Sequence, residues 1–229
     1  MRRFWKLAEP VAVEGGWGVD LDGKPLRTPG KLALVVPGEA LGRAIAAEWD
    51  EAPATVDPRA MAMTGLANAA VERISPEAAG FAEGLARYGE ADLFCYRAEG
   101  PAKLVERQAA AWDPMLAWAR RRFDVDFAIT SGIRHVPQPA GTAERLGQAV
   151  AAMDAFRLAA LSPLVTIGGS LIAALAVAES AIDPEAAWDA VSLDERWQIE
   201  TWGDDPEAVA MLEGRYRDWM AAARFLRLL

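Results

Sequence analysis

Trp17-Gly18-Val19-Asp20-Leu21-Asp22-Gly23-Lys24-Pro25-Leu26 is the stretch that decides the fold class. Apolar residues alternate up to Leu21, the period of a strand with one buried face, and Asp22-Gly23 offers two residues suited to a tight turn. Asp-Gly between such runs predicts a hairpin, so the chain opens on antiparallel sheet. Upstream, Ala12-Val13 and Gly15-Gly16 read as a strand and its turn. Downstream, Lys24 to Gly30 continues the sheet with prolines that suit edges and turns. Leu32-Ala33-Leu34-Val35-Val36 reads as a closing strand before Pro37-Gly38.

Helical periodicity takes over at Ala40, where Leu41, Ala44, Ile45 and Trp49 recur at spacings of three and four. Asp57-Pro58 ends that pattern, a second helix begins near Met63, and Ser75-Pro76-Glu77 predicts a further start with proline in the first turn. Leu104 to Phe123 is helical, Asp126 to Ile129 is extended, and helices resume from Ala143. Asp183-Pro184-Glu185 and Asp205-Pro206-Glu207 each combine an N-cap, an N1 proline and a first-turn acid, and Gly203 suits the end of the helix between them. The expectation is an α+β protein: a small, mainly antiparallel N-terminal β domain over residues 1–60 and a larger all-helical C-terminal domain over 61–229. No repeat or low-complexity linker interrupts it.

Composition narrows the function. At 229 residues, 52% hydrophobic and 25% charged, the chain can bury a substantial core. A formal net charge of −9 argues against nucleic acid and anionic membrane as partners and favours a basic protein surface. One cysteine, Cys95, excludes an internal disulfide, and with one histidine, His135, the chain has too few soft ligands for a typical zinc site. Gly168-Gly169-Ser170 lacks the Gly-Lys-Ser/Thr of a phosphate loop, so no cofactor is expected. The uncharged run from Leu158 to Ala178 could span a bilayer by length, but Pro163 and the glycine pair divide it and much of it is alanine. It reads as buried helix. Met1-Arg2-Arg3-Phe4-Trp5-Lys6 precedes no apolar h-region, and Glu9 and Glu14 do not fit a mitochondrial presequence. A bacterial cytoplasm is the expected home.

Ser192 to Asp205 masses carboxylates and an amide around Trp197 and Trp202. Asp194 and Glu195 are the nearest thing to an acid and base pair, yet adjacent helical residues point about 100° apart and do not converge on one atom. Ser192 with Glu195 also fits a capping box. Cys95 could pair with His135 as a nucleophile, although an apolar-flanked cysteine usually packs as a small core residue. Nine tryptophans are many for this length; most belong in a core, and an exposed one would anchor an interface. The Ser192–Asp205 stretch reads as a docking surface with no catalytic residue.

Several islands resemble one family: Phe4-Trp5-Lys6, Leu21 to Pro29, Ile45-Ala46-Ala47-Glu48-Trp49-Asp50, Asp92-Leu93-Phe94-Cys95-Tyr96-Arg97, Gln108 with Trp112-Asp113-Pro114, Gly169-Ser170-Leu171, and Leu193-Asp194-Glu195 through Gly203. Together they are similar to the ATP synthase alpha-subunit assembly chaperones, the ATP-twelve family of mitochondria and alphaproteobacteria. The resemblance implies a non-enzymatic monomer with a small β domain and a larger helical one. It would bind the free alpha subunit, cover the surface alpha later offers to beta, and leave when beta arrives; eukaryotic relatives would act in the mitochondrial matrix. It also implies a functional acid in the C-terminal helices, matched by position to Glu185, with Asp194 and Glu195 next and with Gln198 and Trp202 completing the partner-binding set. Two other readings stay open: a small hydrolase using Asp194, Glu195 or Cys95, and a permanent structural subunit of a complex.

Overall fold

The computed structural model describes residues 2–203 and 205–229. Strands β1 (Ala8–Val13), β2 (Gly16–Leu21) and β3 (Lys24–Pro25) form an antiparallel sheet in that order. Asp22 and Gly23 occupy the β2–β3 turn at φ 49° and 77°, the left-handed pair that a two-residue hairpin requires, with Leu21 opposite Lys24. The expected closing strand is reduced to two isolated bridges, Trp17 with Val36 and Arg27 with Ala33. Pro29 and Pro37 cannot donate to a ladder, and Lys31 sits at φ 69°, so continuous pairing is interrupted at both ends of this segment.

Helix α1 (Glu39–Asp50) lays Leu41, Ala44, Ile45 and Trp49 against this sheet, all buried together with Val19, Leu21, Leu34 and Val36. Helix α2 (Ala62–Ala69) has no side-chain cap of its own. Glu48 of α1 supplies one instead: its carboxylate accepts from the Met63 and Thr64 amides at 2.7 and 2.8 Å, so an anion fills the N-terminal end of α2. Trp49 donates to Thr64 Oγ1 and accepts at its carbonyl from the Trp5 indole, which joins the start of the chain to both helices.

Ser75-Pro76-Glu77 does not start a new helix. The chain stays helical through a wide π turn at Ala70–Ile74 and a 3₁₀ turn at Ser75–Glu77 into α3 (Ala78–Ala86). Pro76 sits in the first turn of the 3₁₀ segment, where its missing donor is tolerated. The compact unit built here runs to Ala78 and also takes in Asp154–Ala160 and Arg224–Leu229.

The second unit comprises Ala79–Met153 and Leu161–Ala223. It contains β4 (Tyr96–Arg97), α4 (Ala102–Phe123), β5 (Thr130–Ser131) and α5 (Thr142–Ala151), and the two short strands pair in parallel. The uncharged run becomes α6 (Ala155–Gly168) and α7 (Leu171–Ala178), separated by Gly169 at φ 65° and by Ser170. Every residue from Leu171 to Val177 is buried, so α7 is apolar all round and needs neighbours on every side. Helices α4 and α8 (Pro184–Val191) are among them. Two more helices, α9 (Leu193–Trp202) and α10 (Pro206–Arg227), complete the chain. A small antiparallel sheet followed by a mostly helical region is the expected α+β architecture. Among the described residues no helix is long and apolar enough to cross a membrane.

Gly168 is fixed by packing. A Cβ there would lie 2.7 Å from Cζ3 of Trp219, a fully buried ring whose indole nitrogen donates to the Pro184 carbonyl at 3.0 Å. Gly168→Ala should therefore destabilise the protein by about 1–3 kcal/mol, despite alanine's better helix propensity, measured as a lower urea midpoint with an unchanged slope.

Candidate docking site

One buried carboxylate fixes the start of α7, the helix against which α8 packs. Asp92 is fully buried, and its oxygens accept from the Phe94 amide at 3.0 Å, the Ile172 amide at 3.0 Å and the Ser170 hydroxyl at 2.9 and 3.0 Å. Ser170 in turn caps α7 by accepting from Ala173. Burial pushes the Asp92 carboxyl up to about 6, against hydrogen bonds that hold it lower. The glycine pair and serine thus serve as a helix break and cap. Nearby Cys95 is buried too, and desolvation, with the Asp92 charge second, pushes its thiol up to about 12. It keeps its proton at neutral pH and is a poor nucleophile. His135 is exposed, with Nδ1 3.1 Å from the Tyr96 hydroxyl.

From α7 the order passes to α8, whose two ends are tied by indoles. Trp219 donates to Pro184 at its start, and fully buried Trp112 donates to the Ala190 carbonyl near its end at 2.7 Å. Asp183 caps the start through the Glu185 amide. Ser192 does not cap α9: its hydroxyl donates back to the Trp188 carbonyl, so the expected capping box is absent. Its neighbours Asp194 and Glu195 are then free to reach other helices.

The predicted residues separate into three settings. Asp194 is half-buried and turned toward α4, where its Oδ1 accepts from Gln108 Nε2 at 2.8 Å; burial raises its carboxyl, and this hydrogen bond lowers it. Glu185 lies exposed on the first turn of α8 beside the Tyr216 hydroxyl at 3.4 Å, in a shallow depression that Trp188, Asp189 and Glu213 also line. Glu195, Gln198 and Trp202 come together in a groove of about 420 Å³ between α9 and α10, walled on the far side by Ala208, Met211, Leu212 and Arg215. Arg215 is held there by Glu195 at 2.9 Å and by the Ile167 carbonyl at 2.8 Å.

Arg215, Met211 and Leu212 were not among the residues predicted for the site. Their signal is present all the same: after the Asp205-Pro206-Glu207 start, positions 208, 211, 212 and 215 fall on one helical face.

Helix α9 buries none of its ten residues. Trp202 is 77% exposed and Met211 65%, while the apolar residues of the core are buried to below a tenth. Charge is segregated in the same place: residues 183–213 hold ten acids and one base, Arg196, which leaves 23 acids and 23 bases in the rest of the chain. The whole formal net charge of −9 therefore lies in this segment. Arg196 is paired with Asp189 and Glu200 with Arg107, whereas Asp205, Glu207 and Glu213 form no ion pair among the described residues. Exposed apolar side chains ringed by unpaired carboxylates can bind a complementary apolar and basic surface. Among the described residues, no three His, Cys, Asp or Glu side chains are grouped to hold a metal ion.

Comparison with known proteins gives a consistent picture. The sequence model of the family described as ATP12 chaperone protein matches residues 2–120. The mitochondrial protein atp12 of Schizosaccharomyces pombe is 27% identical over 221 residues, covering 90% of this chain and 75% of the relative. The crystal structure of Atp12 from Paracoccus denitrificans superposes with a TM-score of 0.94 at 43% identity, over 99% of this chain and 97% of that one. The Atu1473 protein of Agrobacterium tumefaciens superposes equally well, at 37% identity, over 99% of this chain and 85% of that one.

Replacing the central carboxylate should have two readouts. Asp92→Ala strands the Ser170 hydroxyl and two amides and should cost about 2–4 kcal/mol in chemical denaturation. The folded carboxyl, near 6, lies above its ordinary 3.8, so the native state binds the extra proton and stability falls as pH rises through this window. Against an Asp92→Asn reference, the wild type should lose on the order of 2 kcal/mol between about pH 4 and pH 6.5. A difference that grows in the opposite direction would show that the carboxyl is not raised.

Proposed function

The chain belongs to the ATP12 chaperone family, and on that premise we propose that it is a non-enzymatic assembly chaperone of ATP synthase. It binds the free alpha subunit of the catalytic head, shields the surface that alpha later offers to beta, and departs when beta arrives. An unassembled subunit of a ring exposes a large apolar interface that aggregates when bare. A holder of that interface must bind more weakly than the final partner, which favours a modest, partly polar contact.

The observation that carries this reading is the coincidence of the net negative charge of residues 183–213 with the exposed Trp202 of α9 and Met211 of α10. Glu185, Glu195, Gln198 and Trp202 are the proposed contacts, and Asp194 contributes by holding α9 to α4 through Gln108. The proposed setting is a bacterial cytoplasm, with the mitochondrial matrix as its counterpart for relatives such as the S. pombe protein.

Co-purification tests the proposal. The tagged chain should capture free alpha subunit and should not capture the assembled catalytic head; equal capture of both, or of neither, overturns it. Glu185→Lys should reduce capture about five-fold or more, while helical content and Tm stay near wild type because the side chain is exposed. Glu195→Lys should reduce capture and also cost up to about 1 kcal/mol, since it replaces the ion pair with Arg215 by like charges. Unfolding of the Glu185 variant would assign that acid to the stability of α8 instead.

A further inference from the structure

We propose that the groove between α9 and α10 receives a single amphipathic helix of the client protein, with its apolar face inward and Lys or Arg along its flanks. This rests on the chaperone reading and narrows it to a recognition chemistry. Helix α9 has two apolar sides. Trp197 lies under Arg107, at 4.9 Å from guanidinium to ring, with Lys103 Nζ at 6.0 Å, and Leu193 lines a depression with Arg107 and Ala111. That side is covered in part by α4. On the other side Ile199 and Trp202 line an open groove of about 420 Å³ whose far wall carries Ala208, Met211 and Leu212 of α10.

Side chains of α9 and α10 form the two walls of this groove, and an amphipathic helix laid between them would bury its apolar face against both. The floor is apolar enough for such a helix, and its Arg215 is paired with Glu195, so that among the described residues no free cation lines the groove. The surrounding charge selects the occupant. Asp205 lines the groove, Glu207 and Glu213 lie on the same helix as its far wall, and the segment as a whole has one base to ten acids. A basic helix gains from that field. A second copy of this chain does not, because it would bring an equal net charge of −9 against the first.

The test uses the full chain. The probes are free alpha subunit and a synthetic helical peptide with leucines at a four-and-three spacing flanked by lysines; a control peptide carries glutamates in place of the lysines. Calorimetry should show binding of the lysine peptide that weakens as salt is raised, and none of the glutamate peptide. Trp202→Ala and Met211→Glu should each weaken both the lysine peptide and alpha capture about ten-fold or more, with unchanged circular dichroism and Tm. Trp202→Phe should retain most of the binding.

Variants that capture alpha as well as wild type does would overturn the groove and leave the chaperone reading intact. Failure of wild type to capture alpha, with groove-dependent binding of the lysine peptide, would overturn the client and leave the groove chemistry standing. Equal binding of both peptides would overturn the charge selection. A dimer in light scattering that Trp202→Ala dissolves would assign the groove to a second copy.

Discussion

A carboxylate with no exposure to water sets the order of the helical region. Asp92 accepts three donors from two separate segments, the turn at Leu93–Cys95 and the start of α7. Helix α7 is apolar on every side, so its first-turn amides have no route to solvent and need an acceptor that is itself buried. Desolvating a charge is costly, and the helix end and the hydroxyl around it offset that cost in part, which leaves the carboxyl above its ordinary value. Moving this group would release α7, and with it the bed on which α8 rests.

Burial then decreases along the chain toward the proposed contact face. Helix α8 is pinned at both ends by buried indole N–H groups, a rigid use of tryptophan in which the ring fills the core and its one donor finds a carbonyl. Helix α9 has no such anchor. It is held by polar reach, through Asp194 to Gln108, Glu200 to Arg107 and Glu195 to Arg215. Its tryptophans are therefore used differently: Trp197 stacks under cations, and Trp202 is left to solvent.

The hairpin, the helix starts at Asp183 and Asp205, and the break at Gly169 were legible because each depends on local backbone chemistry. Turn glycines and Asp-Pro-Glu caps act over a few residues, and sequence shows those residues directly. The closing strand at Leu32–Val36 was misread because its alternation is real while its pairing is spoiled by Pro29, Lys31 and Pro37, which only a ladder reveals. Pro76 read as a start because a preceding π turn is invisible to periodicity. The acids of α9 were legible as a group and not as individuals. Which one faces Gln108, Arg215 or solvent depends on α4 and α10, between 20 and 86 residues away in the chain. The role of Asp92 is not legible in the sequence, since a buried aspartate looks like any other until its donors are in place.

The confinement of net charge to residues 183–213 acts before any contact is made. Attraction between opposite charges persists over roughly 8–10 Å in physiological salt, so a basic surface is turned toward this segment while still separated by several layers of water. The balanced remainder of the chain exerts no comparable pull. Encounters are thereby biased in orientation and accelerated, and a holder can reach useful affinity through rapid capture without slow departure. In the proposed role of surrendering a client to a permanent neighbour, quick arrival combined with quick exit is the kinetic form of a temporary bond.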